Sequence, residues 1–207
     1  MKEYWPEHVT RKSWERLISL KKEINFVLIG GWAIYLYTSL YKSKDIDIVI
    51  DLNTLSFLKS KYLVQKNNRL KKYEIKEEGY DIDIYVPYFS NLIIPPEEIL
   101  KKPTVIIKGI KTTTPEVLLM LKLSAFEQRK GSIKGEKDKI DIIALLMKSG
   151  INLHEFNNLA IKHKKKEYIT LTERIIRNFD SYEYLNIPLR EFQKWKKQVI
   201  AKLKELK

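Results

Sequence analysis

Between residues 26 and 50, two apolar runs enclose a glycine pair and two aspartates. The run FVLI ends at Gly30 and Gly31, a helix-like stretch follows, and the second run, DIDIVI, contains Asp45 and Asp47. A short apolar run that ends at glycines is typical of a buried strand that turns into a helix. Because residues two apart in a strand point to the same side, the pattern predicts strand, helix and strand, with both aspartates on one face.

Two carboxylates on one face of an apolar strand repel each other and lose hydration, so a positive group must neutralise them. A lysine would do so. A divalent cation would do it better, because Mg²⁺ binds one or two carboxylates together with substrate phosphates. The segment YDIDIYV repeats the pattern with Asp81 and Asp83. A third carboxylate from a neighbouring strand would complete a two-metal site for phosphoryl or nucleotidyl transfer, and it could accept the proton of the attacking hydroxyl.

The remaining chain changes character near residue 114. Before it, the pattern predicts a helix over 53–65 capped by Asn53 or Thr54, strands over 70–76 and 80–86, a loop over 87–103, and a bent strand or tight hairpin over 104–113. After it, Thr114-Pro115-Glu116 is a helix start signal. The helical pattern covers 115–130, 137–149, 152–165, 167–178 and 188–206. The chain is therefore predicted to be α+β, with domains over 1–113 and 114–207.

Composition limits the function classes. The chain has 207 residues, a formal net charge of +13 and no cysteine. A disulfide scaffold, a thiolate metal site and a cysteine nucleophile are therefore excluded. No stretch reaches the ~20 consecutive apolar residues of a membrane span, and the amino-terminal residues lack the apolar core of a signal peptide. We therefore expect a cytoplasmic protein without membrane contact, whose basic surface attracts polyanions such as nucleic acid or nucleotides.

The motif GGWAIYLY…SKDIDIVI resembles the hG[GS]…DhDh signature of the nucleotidyltransferase superfamily related to DNA polymerase β. Farther on, TPEVLLMLKLSAFEQR…EKDKIDIIALL resembles the K-x-x-A-x-x-x-R and KD-x-x-D segments of AbiEii-type and MenT-like toxin nucleotidyltransferases. The resemblance covers roughly residues 24–147. It implies a nucleotidyltransferase fold, with a mixed β-sheet flanked by helices and a C-terminal helical domain.

The resemblance also implies roles for particular residues. The glycine pair would line the triphosphate site, as glycines that precede a helix allow close phosphate approach. The metal ligands for Mg²⁺, or Mn²⁺, would be Asp45, Asp47 and Asp83, with Asp81 as the alternative third acid. The nucleotide-binding set implied is Gly30, Gly31, Lys44, Lys122 and Arg129. The catalytic set implied is Asp45, Asp47, Asp83, Lys122, Asp138 and Asp141.

The implied reaction moves an NMP from an NTP to a hydroxyl group. The basic charge and the toxin-like second half favour RNA as the acceptor, including a tRNA 3′ end, and a toxin role would imply a separate antitoxin protein. The GGWA form also resembles small-molecule antibiotic nucleotidyltransferases, so an antibiotic hydroxyl is the alternative acceptor. A non-catalytic nucleotide- or RNA-binding module that retains the fold is the alternative from another class.

Overall fold

The structure is a computed structural model that describes residues 4–206. The chain divides into two compact units, Met1–Thr114 and Pro115–Lys207. The first unit contains the helices α1 to α4 and all the strands of the described residues. These elements are α1 (Glu7–Glu23), β1 (Val27–Ile29), α2 (Gly30–Thr38), β2 (Ile46–Val49), α3 (Leu52–Lys61), β3 (Gln65–Asn67), β4 (Lys72–Glu77), β5 (Tyr80–Tyr85), α4 (Pro96–Lys101), β6 (Thr104–Ile107) and β7 (Ile110–Thr113).

The strands form one seven-stranded mixed sheet in the order β3-β4-β5-β2-β1-β7-β6. β2 pairs in parallel with β5, and β1 pairs in parallel with β7, whereas the other neighbouring pairs are antiparallel. Parallel neighbours require a long crossover connection, which is why β2 and β5 are adjacent in space although β3 and β4 lie between them in sequence. The predicted α+β class with a mixed sheet flanked by helices is confirmed.

The isoleucines of the DIDIVI and DIDIY segments form the buried face of the two central strands. Ile46, Ile48, Ile82 and Ile84 are all fully buried. Burying each such side chain contributes about 1.5–3 kcal/mol relative to exposure. A one-residue slip in either strand would turn these isoleucines to the opposite face. Their burial therefore fixes the aspartates of the same strands on the other face of the sheet.

Helix α1 covers part of the first unit through a polar contact inside the core. The Trp32 indole Nε1 donates a hydrogen bond to Ser13 Oγ over 2.9 Å, and both residues are buried. The Trp32 ring also contacts Trp14 and Tyr35 edge-on or tilted, with centroids 5.0 and 5.4 Å away. A buried indole N–H needs such a partner, so this bond orients the first turn of α2, directly after the glycine pair.

Local boundaries differ from the prediction in the segment after β2. Helix α3 is capped by Asp51, whose carboxylate accepts a hydrogen bond from the Thr54 N–H, so the predicted cap at Asn53 or Thr54 is wrong. The helix ends at Lys61, and residues 65–67 form the edge strand β3. The predicted loop over 87–103 contains the short helix α4, whose first residue is a proline, a position where the missing N–H costs nothing.

The second unit is helical throughout its described part. Its elements are α5 (Pro115–Arg129), α6 (Ile133–Lys148), α7 (Leu153–Lys162), α8 (Glu167–Arg177), a short 3₁₀ turn (Tyr182–Leu185) and α9 (Leu189–Lys204). The apolar stripe of α9 packs inside this unit, since Phe192, Val199 and Leu203 are buried. Among the described helices, none has the length and apolar character needed to cross a membrane.

Candidate active site

The glycine pair is required by the two side chains that approach it. Gly30 has φ +67°, and a Cβ atom placed there would lie 2.1 Å from Asp47 Oδ2. A Cβ atom at Gly31 would lie 2.5 Å from Ser43 Oγ. No side chain can occupy either position, and the left-handed backbone at Gly30 disfavours one further. The glycines thus bring the Asp47 carboxylate onto the first turn of α2, while their predicted contact with a triphosphate remains a prediction.

The two aspartates of the DIDIVI segment lie where the alternation predicts. Asp47 is inside β2, and Asp45 directly precedes the strand. Asp47 is the Cα partner of Asp83 in the parallel neighbour β5. The Asp45 carboxylate accepts a hydrogen bond from the Asp81 backbone N–H over 3.2 Å. The sheet therefore brings three of the predicted acids, Asp45, Asp47 and Asp83, to one face of β2 and β5.

A row of three carboxylates crosses three neighbouring strands at this level. Glu74 on β4 is the Cα partner of Asp83 on β5, which is the partner of Asp47 on β2. We call Glu74, Asp83 and Asp47 the acid row. Facing acids in a sheet destabilise it, so the acid row needs positive charge. Glu74 was not predicted as a site residue.

Asp83 is the buried member of its pair of aspartates, with 9% of the residue exposed. Its Oδ2 is 2.6 Å from the Lys72 ammonium, whereas Oδ1 is buried and accepts no hydrogen bond from the described residues. Burial raises the pKa of Asp83 above its ordinary value, although Lys72 opposes this. The side chain of Asp81 is 33% exposed and pairs with Lys76. The structure thus places Asp83, rather than Asp81, inside the acid row.

Lysine and tyrosine side chains surround the aspartates of β2. The Lys44 ammonium is 3.7 Å from Asp45 Oδ1 and 5.5 Å from the centre of the Trp5 ring. The Tyr85 hydroxyl is 3.5 Å from Asp47 Oδ1, a weak hydrogen bond at that length. Lys44 therefore lies next to the predicted metal ligand Asp45, and an incoming anion would meet its charge there.

Sequence reasoning missed Lys72, Glu74 and Tyr85, although a signal for them exists. The strands β4 and β5 form a hairpin in which Glu77 pairs with Tyr80 across the two-residue turn at 78–79. Gly79, the second residue of this turn, has φ +88°, a conformation that glycine adopts readily. Counting back from that turn sets Lys76 opposite Asp81 and Glu74 opposite Asp83. The turn residues Glu78 and Gly79 thus contain enough information to find the acid row.

The donor atoms suit a hard divalent cation only in part. Carboxylate oxygens are the ligands that Mg²⁺ prefers, and one or two suffice when substrate phosphates supply the others. Asp45 and Asp47 meet that need, and the unpartnered Oδ1 of Asp83 is a further oxygen donor. Within residues 4–206, however, no three His, Cys, Asp or Glu side chains are gathered as a metal site. These residues therefore fit a cation only if further oxygen ligands come from outside the protein.

The other predicted residues form a buried ion cluster within the second unit. Asp138 on α6 accepts hydrogen bonds from Lys122 Nζ over 3.0 Å and from Arg129 Nε over 2.6 Å. Asp141 is 2.8 Å from Lys122 Nζ and also bonds Lys137. All five except Arg129 are buried. The helices α5 and α6 thus join the predicted Lys122, Arg129, Asp138 and Asp141 to one another.

The charges of this cluster hold each other in place. Burial disfavours the charged form of Lys122, but Asp141 and Asp138 outweigh it and raise the pKa of Lys122 above its ordinary value. Burial lowers the pKa of Lys137, against the opposing effect of Asp141. Burial would raise the pKa of Asp141, yet Lys122 and Lys137 lower it. The assignment of this cluster to nucleotide binding and catalysis remains a prediction from the resemblance.

Comparisons with known proteins found only distant structural similarity. No protein-family model matches it, and no curated protein matches it. The crystal structure of an antigenic nucleotidyltransferase-like protein from Paracoccidioides brasiliensis is similar over 79% of this chain and 89% of that one, at 21% identity and a TM-score of 0.39. The crystal structure of JHP933 from Helicobacter pylori is similar over 97% of this chain and 95% of that one, at 17% identity and a TM-score of 0.46. At this distance neither likeness assigns an activity to the chain.

Proposed function

We propose that the chain is a nucleotidyltransferase, which moves an NMP from an NTP to a hydroxyl acceptor with a divalent cation. One observation carries the proposal. The Asp47 carboxylate lies against the first turn of α2 at Gly30, and Asp45 and Asp83 lie beside Asp47 on the same face of the sheet. Carboxylates at the uncapped amino end of a helix bring a cation and a phosphate to the same place, because the helix end attracts the anion.

The chain's own residues would act on the two reacting oxygens. Asp45 and Asp47 would hold Mg²⁺ or Mn²⁺, which would neutralise triphosphate charge when bound. The acceptor hydroxyl forms a bond to the α-phosphorus, and the bond from that phosphorus to the bridging oxygen breaks, releasing pyrophosphate. Asp83 would accept the hydroxyl proton at Oδ1, the oxygen that accepts no hydrogen bond within the described part of the chain. The Lys44 ammonium, beside Asp45, would contact the phosphates.

RNA is the acceptor that the charge favours. The chain carries a formal net charge of +13, and residues 115–207 contribute 20 Lys and Arg against 12 Asp and Glu. Such an excess attracts a polyanion more strongly than it attracts a small neutral alcohol. The hydroxyl group at the 3′ end of a tRNA is one acceptor of this kind. A toxin role and a separate antitoxin remain predictions from the sequence resemblance alone.

Label transfer tests the proposal directly. Each α-³²P-labelled NTP is incubated with total RNA and Mg²⁺ or Mn²⁺, beside the variants Asp45→Asn and Asp47→Asn. Glu78→Gln is the matched control, since the Glu78 side chain is 90% exposed in the hairpin turn, where its carboxylate pairs with the Lys12 ammonium. We expect labelled RNA from the wild type and Glu78→Gln, and none from the two aspartate variants.

Two other outcomes point elsewhere. Metal-dependent NTP binding without labelled RNA would move the acceptor to a small molecule, such as an antibiotic hydroxyl. No metal-dependent NTP binding under either cation would overturn the catalytic proposal and leave a binding module. Comparing Asp83→Asn with Asp81→Asn then identifies the third acid. We expect Asp83→Asn to lose the greater part of the transfer rate, since only Asp83 lies in the acid row.

A further inference from the structure

Lys72 is an unusual residue for a buried position in a sheet. It lies in β4, only 9% of it is exposed, and its ammonium is 2.9 Å from Glu74 Oε1 and 2.6 Å from Asp83 Oδ2. Removing a lysine from water is costly unless opposite charges surround it. Here the carboxylates of Glu74 and Asp83 do so. The side chain is therefore a permanent positive charge inside the acid row.

Lysine side chains neutralise part of the acid row. Both oxygens of Glu74 are near a lysine, as Oε2 is 3.5 Å from the Lys76 ammonium. Asp83 has a lysine at Oδ2, and its Oδ1 accepts no hydrogen bond from residues 4–206. Lysine ammonium groups thus contact Glu74 and the Oδ2 side of Asp83. On the β2 side, Lys44 lies 3.7 Å from Asp45 Oδ1, and the Tyr85 hydroxyl, which is neutral, lies near Asp47.

We propose that Lys72 is a built-in cation that takes the place of one of two metal ions, so that the site takes a single divalent cation with its nucleotide. This rests on the proposed nucleotidyl transfer. Two-metal sites hold their ions about 3.5–4 Å apart. A second ion held by Asp83 would lie near the Asp83 oxygen that contacts the Lys72 ammonium. A second dication would meet the Lys72 charge at close range, where like charges repel strongly.

Lys72 is a positioning residue in this proposal, and its charge rather than its shape is what matters. Lys72→Arg keeps the charge, whereas Lys72→Met keeps most of the length and removes the charge. Without it, Glu74 and Asp83 would face each other as neighbouring anions. The acid row of Lys72→Met should then bind a second divalent cation. A residue that served only in packing would not change the number of bound ions.

Manganese counting by electron paramagnetic resonance tests this. Mn²⁺ is titrated into the protein saturated with an NTP analogue whose α–β bridge cannot be cleaved. The number of bound ions per complex is read, together with the spin coupling that two ions about 3.5–4 Å apart would show. We expect one uncoupled ion in the wild type and in Lys72→Arg, and two coupled ions in Lys72→Met.

The outcomes separate this proposal from the function itself. A coupled pair in the wild type would overturn the role of Lys72 while leaving nucleotidyl transfer intact. A single ion in a folded Lys72→Met would also overturn it, because the charge would not be what excludes the second ion. If Lys72→Met does not fold, Lys72→Gln, which also removes the charge, is counted in its place, and a single ion in that variant would overturn the role of Lys72. A bound ion that survives Asp45→Asn and Asp47→Asn would instead contradict the proposed function.

Discussion

The carboxylate of Asp47 occupies the space that a side chain at Gly30 would need, with Oδ2 2.1 Å from the ideal Cβ position. Gly30→Ala must therefore push Asp47 away from α2. We expect label transfer to fall at least tenfold, and Mn²⁺ binding to weaken with it. Measuring both in the variant checks this, because a displaced ligand affects the cation as well as the rate.

A matched control distinguishes the steric overlap with Asp47 from the backbone strain of an alanine with positive φ. Gly150 has φ +69°, close to the +67° of Gly30, but a Cβ atom there would meet nothing within 4 Å. Each alanine costs about 1–2 kcal/mol for the left-handed conformation. Gly150→Ala should therefore lower the free energy of unfolding while transfer is retained. Equal loss of transfer in both variants would show that strain, not Asp47, explains the effect at Gly30.

Gly31 and Ser43 form a second pair, which a double-mutant cycle can measure. A Cβ atom at Gly31 would lie 2.5 Å from Ser43 Oγ and 2.8 Å from Ser43 Cβ. Gly31→Ala alone should destabilise the first unit by about 1–3 kcal/mol through overpacking. In Gly31→Ala/Ser43→Gly both close contacts disappear, so we expect a favourable coupling of about 0.5–3 kcal/mol. Additive losses in urea unfolding would contradict the close approach.

The ion cluster of the second unit predicts a large stability effect at Asp138. This carboxylate is buried and bonds both Lys122 and Arg129. Asp138→Ala removes the carboxylate that both cations contact. We expect a loss of about 3–5 kcal/mol in the free energy of unfolding. Glu136→Ala on the same helix is the control, because its side chain is 54% exposed and such pairs contribute about 0–1 kcal/mol. Similar losses in both variants would argue against a buried cluster.

Acid stability provides a test at Glu23. Hydrogen bonds from Lys61 and Tyr62 lower the pKa of Glu23 from 4.5 to about 2, although burial opposes them. A lowered pKa in the folded state contributes stability that is present above pH 4.5 and is lost as the pH falls toward 2. The advantage of the wild type over Glu23→Gln should therefore shrink across that window. If the urea midpoints of the wild type and Glu23→Gln differ by the same amount from pH 6 to about 2.5, the lowered pKa of Glu23 is contradicted.

Salt dependence distinguishes an RNA acceptor from a small one. Each phosphate contact with single-stranded RNA contributes a slope of about −0.7 to the logarithm of affinity against the logarithm of salt. We expect RNA binding to weaken with a slope steeper than about −2, while transfer to a small alcohol would change little. Filter binding at a series of salt concentrations measures the slope, and a flat response would contradict an RNA acceptor.

Periodicity was sufficient to predict the central part of the fold. The alternating isoleucines of β2 and β5 and the Thr114-Pro115-Glu116 helix start each correspond to an element of the right type. The edge strand Gln65–Asn67 was not predicted because it is polar and largely exposed, so no alternation marks it. Helix α4 was not predicted because one proline precedes it and a second is its first residue, and the pattern of such a segment is that of a loop.

Local sequence predicted only those residues of the candidate site that belong to a single strand segment. Asp45 and Asp47 follow from local alternation, but Lys72 and Glu74 become site residues only through pairing across β4 and β5. The reason for the glycine pair was also incomplete, since the close approach of Asp47 and Ser43 depends on how α2 packs against residues later in the chain. Burial of Lys122, Asp138 and Asp141 likewise depends on helix packing, which charge patterns alone do not reveal.

The parallel pairing of β2 with β5 has a consequence for the protein during its synthesis. Asp47 leaves the ribosome early, yet its partner Asp83 follows only after α3, β3 and β4. Long-range pairing of this kind cannot begin until the later strand is available. A nascent or truncated chain that stops before residue 80 therefore has the glycine turn and two aspartates but no acid row. The order of the strands thus delays any activity of this site until translation has passed β5.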